Sequence, residues 1–216
     1  AVHRLFAVCG LDIIAFTPGY FSGDCFVVAK KLPIRNILFV RTDTIGDAIL
    51  ASSILPFISN AYPGARVTVL CQQHIAELYE PSPYVHTVIP FDFMKAYQYD
   101  TYRRVICAKV HALQPDLVLN SVYSRELLNE YFTLASGGKQ IVGMYGDTSE
   151  IAEQVRDSDN KIYTWLVPSL GQHKLELARH ADFVRGLGII PDKMTPVVWT
   201  TEDDELFADT FFQSHN

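Results

Sequence analysis

From residue 36 onward the chain alternates short β-branched apolar runs with longer stretches in which apolar positions recur every three or four residues. The runs 36–41, 66–71, 87–90, 116–120 and 140–144 have the length and composition of strands. They begin roughly 20 to 30 residues apart, which is the length a strand-helix-strand unit needs. The alternation predicts an α/β, Rossmann-like parallel sheet with helices on both faces.

Between the first two runs, 46–62 is apolar on most faces and stops at Pro63-Gly64, so one buried helix is expected there. A shorter helix at 74–79 ends before Pro81 and Pro83. The stretch 99–113 is amphipathic: Tyr102, Val105, Ile106, Lys109, Val110 and Leu113 lie on or near one stripe, and Arg103 and Arg104 fall off it toward solvent. Further helices are expected at 125–135, before Gly137-Gly138, at 173–187, before Gly188, and at 202–212; a strand-like run covers 196–200. The acidic, weakly periodic segment 146–160 reads as a flexible excursion. Residues 1–33 fit none of these units. They read as a leader or linker from an upstream region, with a short helix at 3–9 followed by a Gly- and Pro-containing connection, ahead of a domain spanning 34–200.

Composition narrows the class without naming a function. The chain of 216 residues is 49% hydrophobic and 19% charged, an ordinary globular balance. A formal charge of -6 argues against broad nucleic-acid binding, which needs a concentrated basic face. Cys9, Cys25, Cys71 and Cys107 form no C-x-x-C pair and read as free thiols. The apolar segment 5–21 is interrupted by Asp12 and Pro18 and is too short to span a bilayer, and no signal-peptide pattern surrounds it. The cytoplasm is the default compartment. His74, His86, His111, His173 and His180 repeat no metal-site spacing, so no metal is expected.

The chemistry concentrates at RTDTIGDAIL, residues 41–50, where the first core strand gives way to a helix. In open parallel sheets ligands bind beyond the carboxyl ends of strands. Neither G-x-G-x-x-G nor G-x-x-x-x-G-K-[ST] is present, so a dinucleotide or P-loop site is disfavoured. Two hydroxyls and two carboxylates, on Thr42, Asp43, Thr44 and Asp47, suit a polyol whose hydroxyl must be held and deprotonated. Gly46 leaves backbone bare to an approaching ligand. Asp47 falls in the helix's first turn, where free amides and the dipole favour a carboxylate. The plain structural alternative is routine helix capping and dipole complementarity by the same residues. Asn120 and Arg125, just beyond the fourth strand on the same edge, are candidates to meet an acceptor carrying carboxylate or phosphate. The aromatic group Phe91, Phe93, Tyr97, Tyr99 and Tyr102 fits core packing, with stacking on sugar as its functional alternative.

The run RTDTIGDAIL followed by AYPGARVTVLCQQHIAELYEPSPYVHTVIPFD at 61–92, a P-D-L-V strand at 115–118, and HKLELARHADFVRGLGI at 173–189 resembles the amino-terminal domain of glycosyltransferase family 9, the ADP-heptose:lipopolysaccharide heptosyltransferases. The resemblance covers about residues 35 to 205. It implies the amino-terminal, acceptor-binding half of a GT-B fold, with 201–216 starting the crossing to a nucleotide-sugar domain that this sequence does not include. It further implies metal-independent transfer with inversion and Asp47 as general base. Thr42, Asp43, Thr44, Gly46, Asn120 and Arg125 are then the acceptor-binding candidates. No cofactor is implied; an ADP-heptose-like nucleotide sugar would bind mainly the other domain. The implied acceptor is a lipopolysaccharide-type, lipid-linked or other glycan, and only such an acceptor would bring the protein to the inner face of the inner membrane. A non-catalytic Rossmann-like binding or scaffolding domain is the alternative.

Overall fold

The computed structural model describes residues 11–18, 25–31, 33–169, 171 and 174–215. The helix expected at 3–9 lies outside them, as does His173. The connection expected up to residue 33 contains instead an antiparallel pair, β1 (Leu11–Pro18) and β2 (Cys25–Lys31), with a register shift between Ile13 and Ala15. LDIIAFTP and CFVVAKK are rich in β-branched and aromatic residues, and that propensity outweighs the Gly and Pro punctuation read as a linker.

Six parallel strands follow: β3 (Asn36–Arg41), β4 (Arg66–Gln72), β5 (Thr87–Phe91), β6 (Leu117–Asn120), β7 (Gln140–Met144) and β8 (Trp165–Val167). They lie in the order β5-β4-β3-β6-β7-β8. The doubly wound Rossmann fold has this order, with β3 as its first strand, and its direction reverses between β3 and β6. The helices are, in chain order, α1 (Ile45–Ser52), α2 (Leu55–Ala61), α3 (Ala76–Tyr79), α4 (Phe93–Gln98), α5 (Asp100–Ala112), α6 (Leu127–Ala135), α7 (Glu153–Asp159), α8 (Glu176–Gly186) and α9 (Glu202–His215).

Alternation along the strands divides the core in two. Ile37 and Phe39 of β3 join Val67, Val69 and Leu119 in a layer under Ala51 and Ile58 of α1 and α2 and Phe183 of α8. Leu38 and Val40 point the other way, to Ile106 and Val110 of α5 and Phe132 of α6. The inner strands β3, β4, β6 and β7 are thus buried on both sides, as their continuous apolar sequence requires. At the amino edge, the Asp116 carboxylate accepts from the amides of Arg35 and Asn36 and from Lys139 Nζ, at 2.8, 3.1 and 2.7 Å, tying three strand starts together.

Four expectations are corrected. The single helix over 46–62 is two, α1 and α2, because Pro56 has no amide to donate and instead sits in the first turn of α2, where none is needed. At the break the amides of Ser53 and Ile54 bond back only three residues, to Leu50 and Ala51. The excursion at 146–160 contains α7, anchored by Ile151 and by Arg156, which lies 5.0 Å from the Tyr145 ring centroid. Two inward side chains in a polar stretch leave no periodicity to read. Arg103 is only partly solvated: it donates to the carbonyls of Ala96 and Tyr97 and pairs with Asp100 at 3.2 Å. The run 196–200 pairs with no strand among the described residues; Val197 donates its amide to Ser52 Oγ at 2.8 Å and Trp199 meets Tyr84 edge-on. β8 went unread because three residues carry no pattern.

Cys71 and Cys107 are free, and burial pushes the Cys71 thiol up to about 12, which keeps it protonated and unreactive. No helix among the described residues is long and apolar enough to cross a membrane.

Candidate functional site

The loop 42–47 leaves β3 at the point where the sheet order reverses, the crevice in which doubly wound sheets hold ligands. It is fixed from beneath by Arg41, which is 1% exposed. One guanidinium nitrogen donates to Ser121 Oγ at 2.9 Å; the other donates to the Asp43 carboxylate and, at 3.2 Å, to the Asp47 carbonyl oxygen. A single side chain therefore ties together the ends of β3 and β6 and the first turn of α1. From the β4 side, the Gln72 amide donates to the carbonyls of Thr42 and Asp43 at 2.7 and 3.2 Å, and the Tyr79 hydroxyl donates to the Ala48 carbonyl at 3.0 Å.

What this frame leaves open is the outer curve of the loop. Thr44, Ile45 and Gly46 are exposed and Asp47 is half-buried. Thr44 takes the N-cap position of α1 yet caps no amide; its hydroxyl donates to Asp47 Oδ2 at 3.2 Å. The routine capping role is not what this threonine performs. Gly46 needs no left-handed backbone, and a Cβ there would meet nothing within 4 Å. Glycine at this position leaves the exposed backbone of the first turn uncovered by a side chain.

The two carboxylates of the loop are in different surroundings. Burial pushes the Asp43 carboxyl above its ordinary range, the Arg41 guanidinium pulls it partly back, and the neighbouring Asp47 charge adds to the upward push. Asp43 is thus committed to Arg41, while Asp47 is half-buried and has the Thr44 hydroxyl as its partner. Arg41 Nε, Thr42 Oγ1 and Asp43 Oδ1 are buried without a hydrogen-bond partner among the described residues. Unmatched polar atoms gathered in one loop are rare in packed interiors and occur where water or a ligand completes the set.

Helix α8 closes the back of the site. Glu176 pairs with Arg179 at 3.2 Å, and Arg179 lies 3.6 Å over the ring of Tyr123, just past β6. His180 is fully buried, with Nε2 3.4 Å from a Glu176 carboxylate oxygen. Burial, helped by the Arg41 charge, pushes its pKa down to about 3 from 6.5. The neutral ring therefore stabilises the fold in full above about pH 6.5, and that contribution is lost as pH falls toward about 3. Between pH 6.5 and 5.0 the loss is about 2 kcal/mol, at roughly 1.4 kcal/mol per unit. Denaturant unfolding at pH 7.5 and 5.0 should show His180→Phe losing less stability than the parent by about that amount; equal losses would contradict a buried neutral ring.

Asn120 is the last residue of β6 and Arg125 lies beyond it, and both are in the interior. Both are 0% exposed. The Asn120 amide donates to Asn129 Oδ1, Tyr163 OH and Thr133 Oγ1 at 2.5, 2.9 and 3.2 Å. Arg125 pairs with Glu130 at 3.0 Å, donates to the Tyr145 carbonyl and Asn160 Oδ1, and stacks 4.9 Å from the Tyr163 ring centroid. Neither presents surface to an acceptor. Gly146, at φ +68°, closes this network: a Cβ would sit 2.1 Å from the Tyr123 carbonyl oxygen. Of the aromatic group, Phe91 is core against Phe132, Tyr102 OH accepts from the Asp92 amide, and Tyr97 and Tyr99 are exposed.

The site residues that sequence reasoning left unassigned are Gln72, Ser121, Tyr123, Glu176, Arg179 and His180, and only the 173–189 motif hinted at the last three. Beside Gln72 the ends of β4 and β5 open a cleft of about 520 Å³. Two further hollows around Arg35, Asp116 and Lys139 sit at the amino ends of the strands, away from the loop. Among the described residues, no three His, Cys, Asp or Glu side chains are grouped to hold a metal ion.

No protein-family model matches the sequence, and no curated protein matches it. Solved structures do. A glycosyl transferase family 9 protein from Veillonella parvula DSM 2008 is similar with a TM-score of 0.68 at 16% identity, over 84% of this chain and 49% of that one. The E. coli heptosyltransferase WaaC with ADP-2-deoxy-2-fluoro heptose gives 0.56 at 20% identity, over 74% and 50%. The E. coli ADP-heptose lps heptosyltransferase II gives 0.54 at 16% identity, over 82% and 50%. The chain spans about half the length of each, and it shares with them the Rossmann-like α/β fold of a GT-B glycosyltransferase domain.

Proposed function

We propose that this chain is the acceptor-binding domain of an inverting, metal-independent glycosyltransferase, with Asp47 as general base. The observation that carries the reading is the position of Asp47: half-buried on an open rim at the sheet's switch point, held by the Thr44 hydroxyl, with the loop's arginine already matched by Asp43. The donor is an ADP-heptose-like nucleotide-diphosphate sugar, as in the WaaC structure, held mainly by a second domain. The acceptor is a lipopolysaccharide-type or other glycan, and an acceptor linked to lipid would bring the protein to the inner face of the inner membrane from the cytoplasm.

In the reaction, the Asp47 carboxylate takes the proton of an acceptor hydroxyl as that oxygen bonds to the donor's anomeric carbon. The bond from that carbon to the nucleoside diphosphate breaks on the opposite face, and the diphosphate leaves with the electron pair. One base suffices, because the hydroxyl grows acidic only as its new bond forms. Thr44 orients the carboxylate, Gly46 keeps its approach open, and Thr42 and Asp43 shape the floor. Asn120 and Arg125 act from the interior, by fixing the end of β6. Sugar transfer by the full gene product, followed by NMR of the product's anomeric coupling, tests this. Inverted configuration is expected; retention, or tight nucleotide-sugar binding with no transfer, would overturn the reading.

A further inference from the structure

At the amino ends of the strands, across the sheet from the Asp47 loop, two hollows of about 300 and 430 Å³ share Arg35, Asp116 and Lys139 as lining residues. The smaller already has the size at which small-molecule pockets begin. Gln140, the first residue of β7, lines it and is 6% exposed. Its backbone amide donates to the Asp116 carbonyl at 3.1 Å. Its side-chain amide has no hydrogen-bond partner among the described residues and is not sealed from solvent. A carboxamide so deeply set, with donors and acceptor both unmatched, belongs to the small class of buried polar groups that water or a ligand completes.

The charge of this lining runs against that of the chain. Two cations and one carboxylate line the smaller hollow, in a chain of formal charge -6. The carboxylate is already matched: Asp116 Oδ1 accepts from Lys139 Nζ at 2.7 Å, and Oδ2 accepts from the amides of Arg35 and Asn36. Burial alone would raise the Asp116 carboxyl, but Lys139 and the two amides outweigh it and hold it below its usual range. The Arg35 guanidinium is exposed and enters no hydrogen bond or ion pair among the described residues. It is the charge left over. A cation here would meet Arg35 as like charge, and a neutral polyol would satisfy the Gln140 amide while leaving the guanidinium unmatched. An oxyanion, which only accepts, suits both the guanidinium fork and the carboxamide NH₂.

We infer that this hollow binds a small ligand through an oxyanion group, held by Arg35 and Gln140 with Lys139 at its margin. The site lies at the other edge of the sheet from Asp47, so the inference does not rest on the role proposed for that residue. The test is an NMR titration of the chain carrying labelled glutamine amides. The side-chain signal of Gln140 is assigned by its loss in Gln140→Met, and exposed Gln213 of α9 serves as the internal reference. The probes are inorganic phosphate, acetate, glucose 6-phosphate and methyl glucoside. At low salt the three anions should move the Gln140 signal saturably while Gln213 stays, and methyl glucoside should move neither. Phosphate binding as tightly as glucose 6-phosphate points to the free ion as ligand, and tighter binding of glucose 6-phosphate points to a phosphorylated sugar; either supports the site. Arg35→Gln keeps the backbone amide that Asp116 uses and should weaken the anions about 10-fold or more. Lys193→Gln, an exposed position outside the hollow, should leave their binding unchanged. A Gln140 signal that no anion moves, a shift that methyl glucoside reproduces, or binding untouched by Arg35→Gln would overturn the inference.

Discussion

Glu130→Ala is expected to destabilise the fold by roughly 3–5 kcal/mol, the usual cost of removing one partner of a buried ion pair. Glu130 is 2% exposed and receives both Arg125, at 3.0 Å, and the Tyr163 hydroxyl, at 2.9 Å. Burial pushes its carboxyl up, and Arg125 opposes the push. Without the carboxylate a guanidinium with no exposed surface is left with the Tyr145 carbonyl and Asn160 as its acceptors. The midpoint of thermal unfolding should fall by roughly 2–4 °C per kcal/mol for a domain of this size. Replacing both partners with apolar residues of similar volume, Arg125→Met with Glu130→Leu, should recover most of the loss, because it removes the desolvated charges together. Denaturant unfolding of the single and double variants measures both. A loss below about 1 kcal/mol for Glu130→Ala would mean that the pair is hydrated and that Arg125 is free to meet a ligand.

Much of the sheet was readable because its inner strands are apolar on both faces, and the runs at 36–41 and 140–144 coincide with β3 and β7. The elements that escaped are those whose signal is not hydrophobic period. β8 has three residues, α7 turns only Arg156 inward, and the break between α1 and α2 depends on one missing amide at Pro56. β1 and β2 were hidden by weighting Gly and Pro above β propensity.

At the site, sequence placed the loop but not its chemistry. That residues 42–47 lie at the switch point followed from strand order, which spacing alone hints at. Spacing does not tell Asp43 from Asp47: both follow the same strand, and only the fold sends one to Arg41 and leaves the other on the rim. Arg125 looked like a surface cation because its neighbours in sequence are polar; its partner Glu130 is one helical turn along α6, and Tyr163 and Asn160 arrive from more than 30 residues away. His180 was one histidine among seven in sequence and acquires its meaning only from burial beside Arg41.

Asp47→Asn keeps the size of the side chain and an oxygen for the Thr44 hydroxyl, and removes the capacity to take a proton. The loop's frame runs through Arg41, Gln72 and Tyr79 to backbone carbonyls, so it does not depend on that carboxylate. Loss of the favourable charge at the start of α1 costs about 0.3–1 kcal/mol. Asp43→Asn is the informative contrast. It strips the buried Arg41 of its counter-charge, so its damage should appear first in unfolding and in acceptor affinity. The decisive measurement is turnover of the full gene product carrying Asp47→Asn, with donor affinity determined on the same preparation. The expected result is a fall of about 10²- to 10⁴-fold, the usual worth of general-base transfer, with donor affinity unchanged. Turnover within a few-fold of the parent would remove Asp47 from the role of base.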